Sequence, residues 1–272
     1  MIRAEHVCCA YGRRPVLDDV SLQVPAGQLT GVIGPNGSGK TTLVRALTQA
    51  VPLRRGRVYF QGQPLEAIGR RALARRIAVV GQDDELPLEM DVEDFIGLGR
   101  IPYQQRMQFF LTPADRAAVD RAVELTGTAA FRGRRLRQMS GGERQMVVLA
   151  RVLAQQPAVL LLDEPMVYLD IAHQVALMDL IRRLVRQGHL AVLIVLHELN
   201  IAAEYCDQVA LLSKGKLACF GAPEDVLTYP RIEAVYGTAV VVQKNPFSGK
   251  PNVLLVSEEQ KLRGAGPWQR KG

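Results

Sequence analysis

Cysteine is scarce in this sequence, and the four present, Cys8, Cys9, Cys206 and Cys219, show no paired zinc-type spacing. Zinc modules and disulfide scaffolds are thereby excluded, and reduced structural thiols are expected. Long hydrophobic runs are missing too: no segment reaches the roughly 18 apolar residues that would span a bilayer. The N-terminus MIRAEHVCCAYGRR lacks an apolar stretch of signal-peptide length, so the chain is expected to stay in the cytosol. Heptads, internal repeats and low-complexity tracts do not occur, which removes coiled coils and solenoids.

What is present describes a globular protein: 272 residues, 48% hydrophobic and 22% charged. That length suits one large domain with an inserted subdomain. The balance of 34 basic against 27 acidic residues leaves +7. Clusters such as Arg70, Arg71, Arg75 and Arg76, or Arg132, Arg134, Arg135 and Arg137, could attract nucleic acid or an anionic membrane surface. Each also fits a solvated helix face.

Strand and helix signals alternate, which predicts an α/β fold with a mainly parallel sheet covered by helices. LTGVI (29 to 33) reads as a short β-rich run ending at glycines, and AVLLLD (158 to 163) and LAVLIVL (190 to 196) as strands buried on both faces. Residues 171 to 188 read as a helix with Ile171, Val175, Met178, Leu184 and Val185 as its apolar stripe and Gly188 as its stop. The first 30 residues and VYFQGQPL (58 to 65) read as an antiparallel β subdomain, and 88 to 145 as the inserted helical subdomain. The main domain is expected over 2 to 238, a hairpin over 239 to 256 and a flexible tail over 257 to 272.

The chemistry concentrates in GPNGSGKT, residues 34 to 41, which satisfies G-x-x-x-x-G-K-[ST] between a strand and a helix. Gly34, Pro35, Asn36, Gly37, Ser38 and Gly39 would curl backbone N–H groups around phosphate oxygens, with Lys40 adding a point charge. Thr41 would place a hydroxyl on Mg²⁺. ATP binding alone needs no more, but hydrolysis needs a second metal ligand and a base. AVLLLDEP supplies both: Asp163, at the tip of a strand expected beside the P-loop strand, would complete the Mg²⁺ site, and Glu164 would deprotonate the attacking water. By itself Asp-Glu-Pro is an ordinary polar strand exit; the P-loop upstream gives it meaning. Gln82 and His197 also emerge where strands end, the place at which open α/β sheets bind ligands. His6, His173 and His189 are assigned to structure or solvent.

A helix that begins QMSGGERQ (138 to 145) carries two glycines in its first turn, at about 1 kcal/mol each relative to alanine. Ser140 and Glu143 have capping-box spacing. The cap does not explain Gly141 and Gly142, whose bare amides would suit a second anion. One P-loop with two phosphate-seeking surfaces suggests that the second serves a nucleotide held by another copy.

The order GPNGSGKTT, Gln82, MSGGERQ, LLLDEP, Leu169-Asp170 and His197 resembles the ATP-binding cassette of ABC transporters, over about residues 2 to 230. The resemblance implies a P-loop NTPase core that hydrolyses ATP with Mg²⁺, and two copies packed head to tail. Thr42 joins the nucleotide-binding residues and Tyr11 would stack on adenine. Gln82 would link the metal site to a transmembrane partner, His197 would hold the γ-phosphate, and Asp170 would bridge the subunits. Ser140, Gly141, Gly142 and Glu143 would cap the partner's nucleotide. DVEDFIGLGRIPYQ (91 to 104), YLDIAHQ (168 to 174) and HELNIAAEYCD (197 to 207) are similar to ATPases of importers for iron siderophores, haem and cobalamin, with iron chelate the first choice. Such a subunit would sit peripherally on the cytoplasmic face of the inner membrane, docked on permease subunits and indirectly served by a substrate-binding protein, with no nucleic acid as partner.

Met166 and Val167 depart from the family's small or hydroxyl residues, and Glu143 from its more frequent glutamine. The capping box is expected to hold the Glu143 carboxylate aside. A soluble DNA-repair ATPase of the same superfamily would carry coiled coils or zinc modules, and a translation-associated ATPase two cassettes. A non-catalytic nucleotide-binding regulator would follow if Met166 and Val167 spoiled the closed dimer.

Overall fold

The structure is a computed structural model describing residues 1–82, 86–105, 108, 110–167, 169–257 and 259. In chain order, β1 (Ile2–Tyr11) and β2 (Arg14–Val24) form a hairpin, and β3 (Leu29–Ile33) leads through the P-loop into α1 (Lys40–Leu47). β4 (Leu53–Phe60) and β5 (Gln63–Pro64) return to the hairpin, and α2 (Arg70–Ala74) precedes β6 (Ile77–Val80). Then come α3 (Val92–Gly97), α4 (Pro113–Thr126) and α5 (Gly141–Ala154). They are followed by β7 (Val159–Asp163), α6 (Ile171–Arg186), β8 (Ala191–Val195), α7 (Leu199–Tyr205), β9 (Gln208–Ser213) and β10 (Lys216–Gly221). The chain continues through α8 (Pro223–Val226) and α9 (Tyr229–Tyr236) to a hairpin of β11 (Val240–Lys244) and β12 (Pro251–Leu255).

The mainly parallel sheet, the N-terminal antiparallel sheet and the helical region anticipated from the sequence are all present. The main sheet runs β10-β9-β3-β8-β7-β6, parallel except for the edge strand β10. The second runs β2-β1-β4-β5, antiparallel throughout. Every residue of β3, β7 and β8 is buried, as continuous apolar runs require when both sheet faces are covered. Alternate residues serve two cores. Leu161 and Leu193 pack with Leu43 and Leu47 of α1 and with Ile2 and Val7 of the antiparallel sheet. Leu160, Leu162, Val192 and Ile194 pack with Val148 of α5 and Leu177 and Ile181 of α6.

Two sequence expectations are corrected. The AVLLLD strand does not lie beside the P-loop strand, because β8 pairs with β3 on one edge and β7 on the other. Five consecutive apolar residues with no polar position fit a central strand, and β8 takes that place. The stripe of α6 also differs. Ile171 is 79% and Val175 44% exposed, and the buried face is formed by Leu177, Met178, Leu180, Ile181, Leu184 and Val185. The core under α6 begins only at Leu177, so its first turns project from the sheet and apolar periodicity there reports something other than burial.

The helical region is locked by a buried ion pair. Arg100 lies in a 3-10 segment (Leu98–Tyr103) and is 4% exposed. Its Nε donates to Asp115 at 2.9 Å and its Nη1 to the Ala154 carbonyl at 2.7 Å, while the guanidinium stacks 3.7 Å from the Tyr103 ring centre. Asp115 also closes the capping box of α4 with Thr112. Burial pushes the Asp115 carboxyl up, but the Thr112 and Arg100 hydrogen bonds outweigh it and hold the group below the usual range.

All four cysteines are free. No helix among the described residues is long and apolar enough to cross a membrane. The tail expected over 257 to 272 lies outside the described residues, apart from Ser257 and Glu259.

Candidate nucleotide site

Backbone conformation makes the P-loop. Gly34 sits at φ +149°, and a Cβ there would lie 2.2 Å from the Leu212 carbonyl oxygen. Gly39 caps α1 at φ +106° with no side-chain cap, which leaves the first N–H groups of the helix for a ligand. Pro35 is half-buried, and Asn36 and Gly37 stand exposed at the crest. Ser38 Oγ is buried without a hydrogen-bond partner, an unpaired polar atom inside the loop. Lys40 is only 5% exposed, and its Nζ donates to the carbonyls of Gly34 at 2.9 Å and Pro35 at 3.3 Å. Burial lowers its pKa, opposed by the charges of Glu164 and Asp163. A bare helix start, an orphaned hydroxyl and a buried cation together fit a phosphate chain.

The tip of β7 meets the P-loop helix. Asp163 is 2% exposed and accepts from Thr41 Oγ1 at 3.4 Å. Burial raises its pKa, and the neighbouring Glu164 charge adds to that, against the Thr41 hydrogen bond. An oxygen-only pair of this kind fits a hard divalent cation. Thr42, the next residue of α1, is buried. Glu164 turns the chain at φ +53°, left-handed for a residue with a side chain, a conformation that costs about 1–3 kcal/mol and often marks functional positions. Its carboxylate is gripped on both sides: Gln82 Nε2 donates to Oε2 at 2.8 Å, and His197 Nε2 lies 2.6 Å from Oε1. Three residues that are weak signals singly thus form one cluster. Tyr11, 47% exposed at the end of β1, takes a hydrogen bond from Arg45 of α1 at 3.3 Å.

The remaining expected residues form a second cluster. Ser140 Oγ accepts from the Glu143 amide at 3.2 Å, and the Glu143 carboxylate accepts from the Ser140 amide at 2.7 Å. That amide, then the Ser140 hydroxyl, holds Glu143 below the usual carboxylate range. Gly141 is exposed and Gly142 buried. Asp170 caps α6 by accepting from the His173 amide at 2.8 Å, and His173 Nδ1 lies 2.7 Å from the same oxygen. Of the other two departures noted in the sequence besides Glu143, Met166 is buried at 8% exposure and Val167 stands 38% exposed.

Sequence reasoning assigned His173 only to structure or solvent, although Asp170-x-x-His173 repeats the cap-to-third-residue spacing of Ser140-x-x-Glu143 and could have tied it to Asp170. It overlooked Gln174, whose Nε2 donates to Glu198 at 3.2 Å, one residue beyond His197. No spacing rule links those two positions.

Residues 17–167 match the family model described as ABC transporter. The chain is 40% identical to the hemin import ATP-binding protein HmuV of Thermobifida fusca, over 94% of this chain and 89% of that protein. It is 34% identical to the ferric enterobactin transport ATP-binding protein FepC of Escherichia coli, over 93% of each. Identity reaches 41% with the cobalamin import ATP-binding protein BtuD of Halobacterium salinarum, over 88% of this chain, which spans 59% of that relative's length. Among solved structures, a nucleotide-free ATP-binding cassette from an ABC transporter superposes with a TM-score of 0.75 at 25% identity, over 87% of this chain and 95% of the other.

Proposed function

The chain belongs to the ABC transporter family of ATP-binding cassettes, and from that premise we propose that it is the ATP-hydrolysing subunit of an importer. The cargo is an iron chelate, haem or cobalamin, the classes named for its relatives, and it passes through a separate permease. The subunit works on the cytoplasmic face of the membrane. A DNA-repair role is not favoured by these relatives.

The observation that carries the reading is the Glu164 carboxylate held between Gln82 and His197, beside an Asp163 that reaches Thr41. P-loop amides and Lys40 bind the triphosphate. Thr41, Asp163 and Gln82 would hold Mg²⁺, which supplies charge neutralisation on the phosphate oxygens. Glu164 takes the proton of the attacking water, Gln82 and His197 fix the direction of that carboxylate, and His197 would hold the γ-phosphate. Tyr11 offers its exposed ring to the adenine. Ser140, Gly141, Gly142, Glu143 and Asp170 serve the nucleotide of a second copy packed head to tail. Exposed apolar Val167 and Ile171, which flank Asp170 in sequence, support such a contact.

Glu164→Gln tests the assignment. The variant should bind ATP as the wild type does, turn over about 10²- to 10⁴-fold more slowly, and accumulate as a nucleotide-loaded dimer in gel filtration. Wild-type turnover would overturn the base. Uptake of labelled iron chelates, haem and cobalamin by cells with and without the subunit decides the cargo.

A further inference from the structure

Gly142 and His173 compete for one volume. A Cβ on Gly142 would lie 2.2 Å from His173 Cδ2 and 2.5 Å from both Cγ and Nε2, so the imidazole edge occupies the space a side chain would need. The glycine lies in the first turn of α5 and the histidine in the first turn of α6. The opposite edge of the same ring is tied down. Nδ1 lies 2.7 Å from Asp170 Oδ1, and a carboxylate oxygen only accepts, so Nδ1 carries the proton. The same Oδ1 accepts the His173 amide at 2.8 Å. One residue later, Gln174 reaches Glu198 at 3.2 Å, beside His197.

We propose that His173 is a positioning residue that keys the Ser140–Glu143 turn to Asp170: its ring fills the gap left by Gly142 while its Nδ1–H fixes the carboxylate. The two pieces offered to a second copy's nucleotide then move as one body. The missing side chain of Gly142 therefore also makes room for a neighbour in its own chain, whereas Gly141 is exposed. This inference rests on the reading that both pieces serve a second copy.

A mutant cycle on the purified chain tests it, read by melting temperature and by kcat and KM for ATP. Residues in direct contact couple by factors of about 2 to 150. Gly142→Ala should accordingly cut kcat by about tenfold more in the presence of His173 than in a His173→Ala background, with melting temperatures following the same pattern. His173→Ala alone should lower kcat several-fold and leave KM for ATP within about twofold, because it acts on the Asp170 side and not on the P-loop. His173→Asn should recover kcat only in part, since an asparagine amide can donate to Asp170 from the Nδ1 position but leaves the Gly142 side empty. Should Gly142→Ala alone fail to fold, recovery of a cooperative melt in the double variant supports the contact, and an unfolded double variant overturns it. Equal effects of Gly142→Ala in both backgrounds, or wild-type kcat in His173→Ala, also overturn the proposal. Loss of the two-copy reading shows separately, as failure of Lys40-defective and Gly141-defective subunits to complement when mixed.

Discussion

Lys40 and Asp163 bring opposite charges into one buried corner, and burial acts against both: it lowers the lysine pKa and raises the aspartate pKa. Each charge favours the ionised form of the other. Lys40→Ala removes the cation that a triphosphate needs, and it also leaves Asp163 without that support. Loss of ATP affinity by about 100-fold or more is expected, the order of two to three strong charge-assisted hydrogen bonds, measured by titration with a fluorescent ATP analogue. An affinity within threefold of the wild type would show that the P-loop amides suffice. At this scale the P-loop and the Asp163-Glu164 pair were legible, because each is a local word tied to a strand end. Gln82 and His197 were not legible singly. Their meaning lies in two contacts with Glu164, at 2.8 and 2.6 Å, made by residues whose sequence separation carries no periodic signal. His173 was read only as structure or solvent, for the opposite reason: its spacing from Asp170 is local, but what it packs against is Gly142 on another helix.

Whole elements were easier to read than their order. The continuous apolar runs identified β7 and β8, since a strand buried on both faces cannot alternate, and a short β-rich run before the P-loop glycines identified β3. The same uniformity hid which strand lies next to which, and β8 stands between the P-loop strand and β7. Thr41 still reaches Asp163 because α1 crosses the sheet and packs against Leu161 and Leu193 through Leu43 and Leu47. The helical region shows a comparable blind spot. Its helices were visible as a change of character after β6, but nothing in the sequence singled out Arg100, which is buried against Asp115 and the end of α5. Arg100→Ala strands a buried carboxylate and frees the Ala154 carbonyl, and breaking such a pair costs about 3–5 kcal/mol. A chemical-denaturation midpoint that falls accordingly, with the loss largely reversed in the paired variant Arg100→Leu/Asp115→Leu, is the expected result. An unchanged midpoint for Arg100→Ala would show that the helical region does not depend on this lock.

At the scale of the whole molecule, the proposed head-to-tail pairing draws on two groups of residues, one at the P-loop and one at the Ser140–Glu143 turn. The P-loop cluster contains a cation, two carboxylates and their orienting groups. The Ser140–Glu143 turn offers a capped helix start whose ends hydrogen-bond to each other, and its Gly142 lies against the His173 ring. Val167, Ile171 and Val175 are exposed by 38%, 79% and 44% around Asp170, so apolar surface lies where a second copy would cover it. That arrangement explains why the stripe read for α6 was displaced: Ile171 and Val175 keep the helical period of a buried face but suit a surface between molecules. Under the proposed head-to-tail pairing, a two-fold pair contains two sites, each built from both copies. A Lys40→Ala copy retains an intact Ser140–Glu143 turn, and a Gly141→Asp copy retains an intact P-loop. Either preparation alone should be inactive. After mixing in equal amounts with subunit exchange, half the pairs are mixed and each has one complete site, so turnover should recover to about a quarter of the wild-type value, provided the sites work independently. A mixture no more active than its two parents, under conditions where exchange is verified by labelled subunits, would mean that the second glycine cluster does not serve the nucleotide of a neighbouring copy.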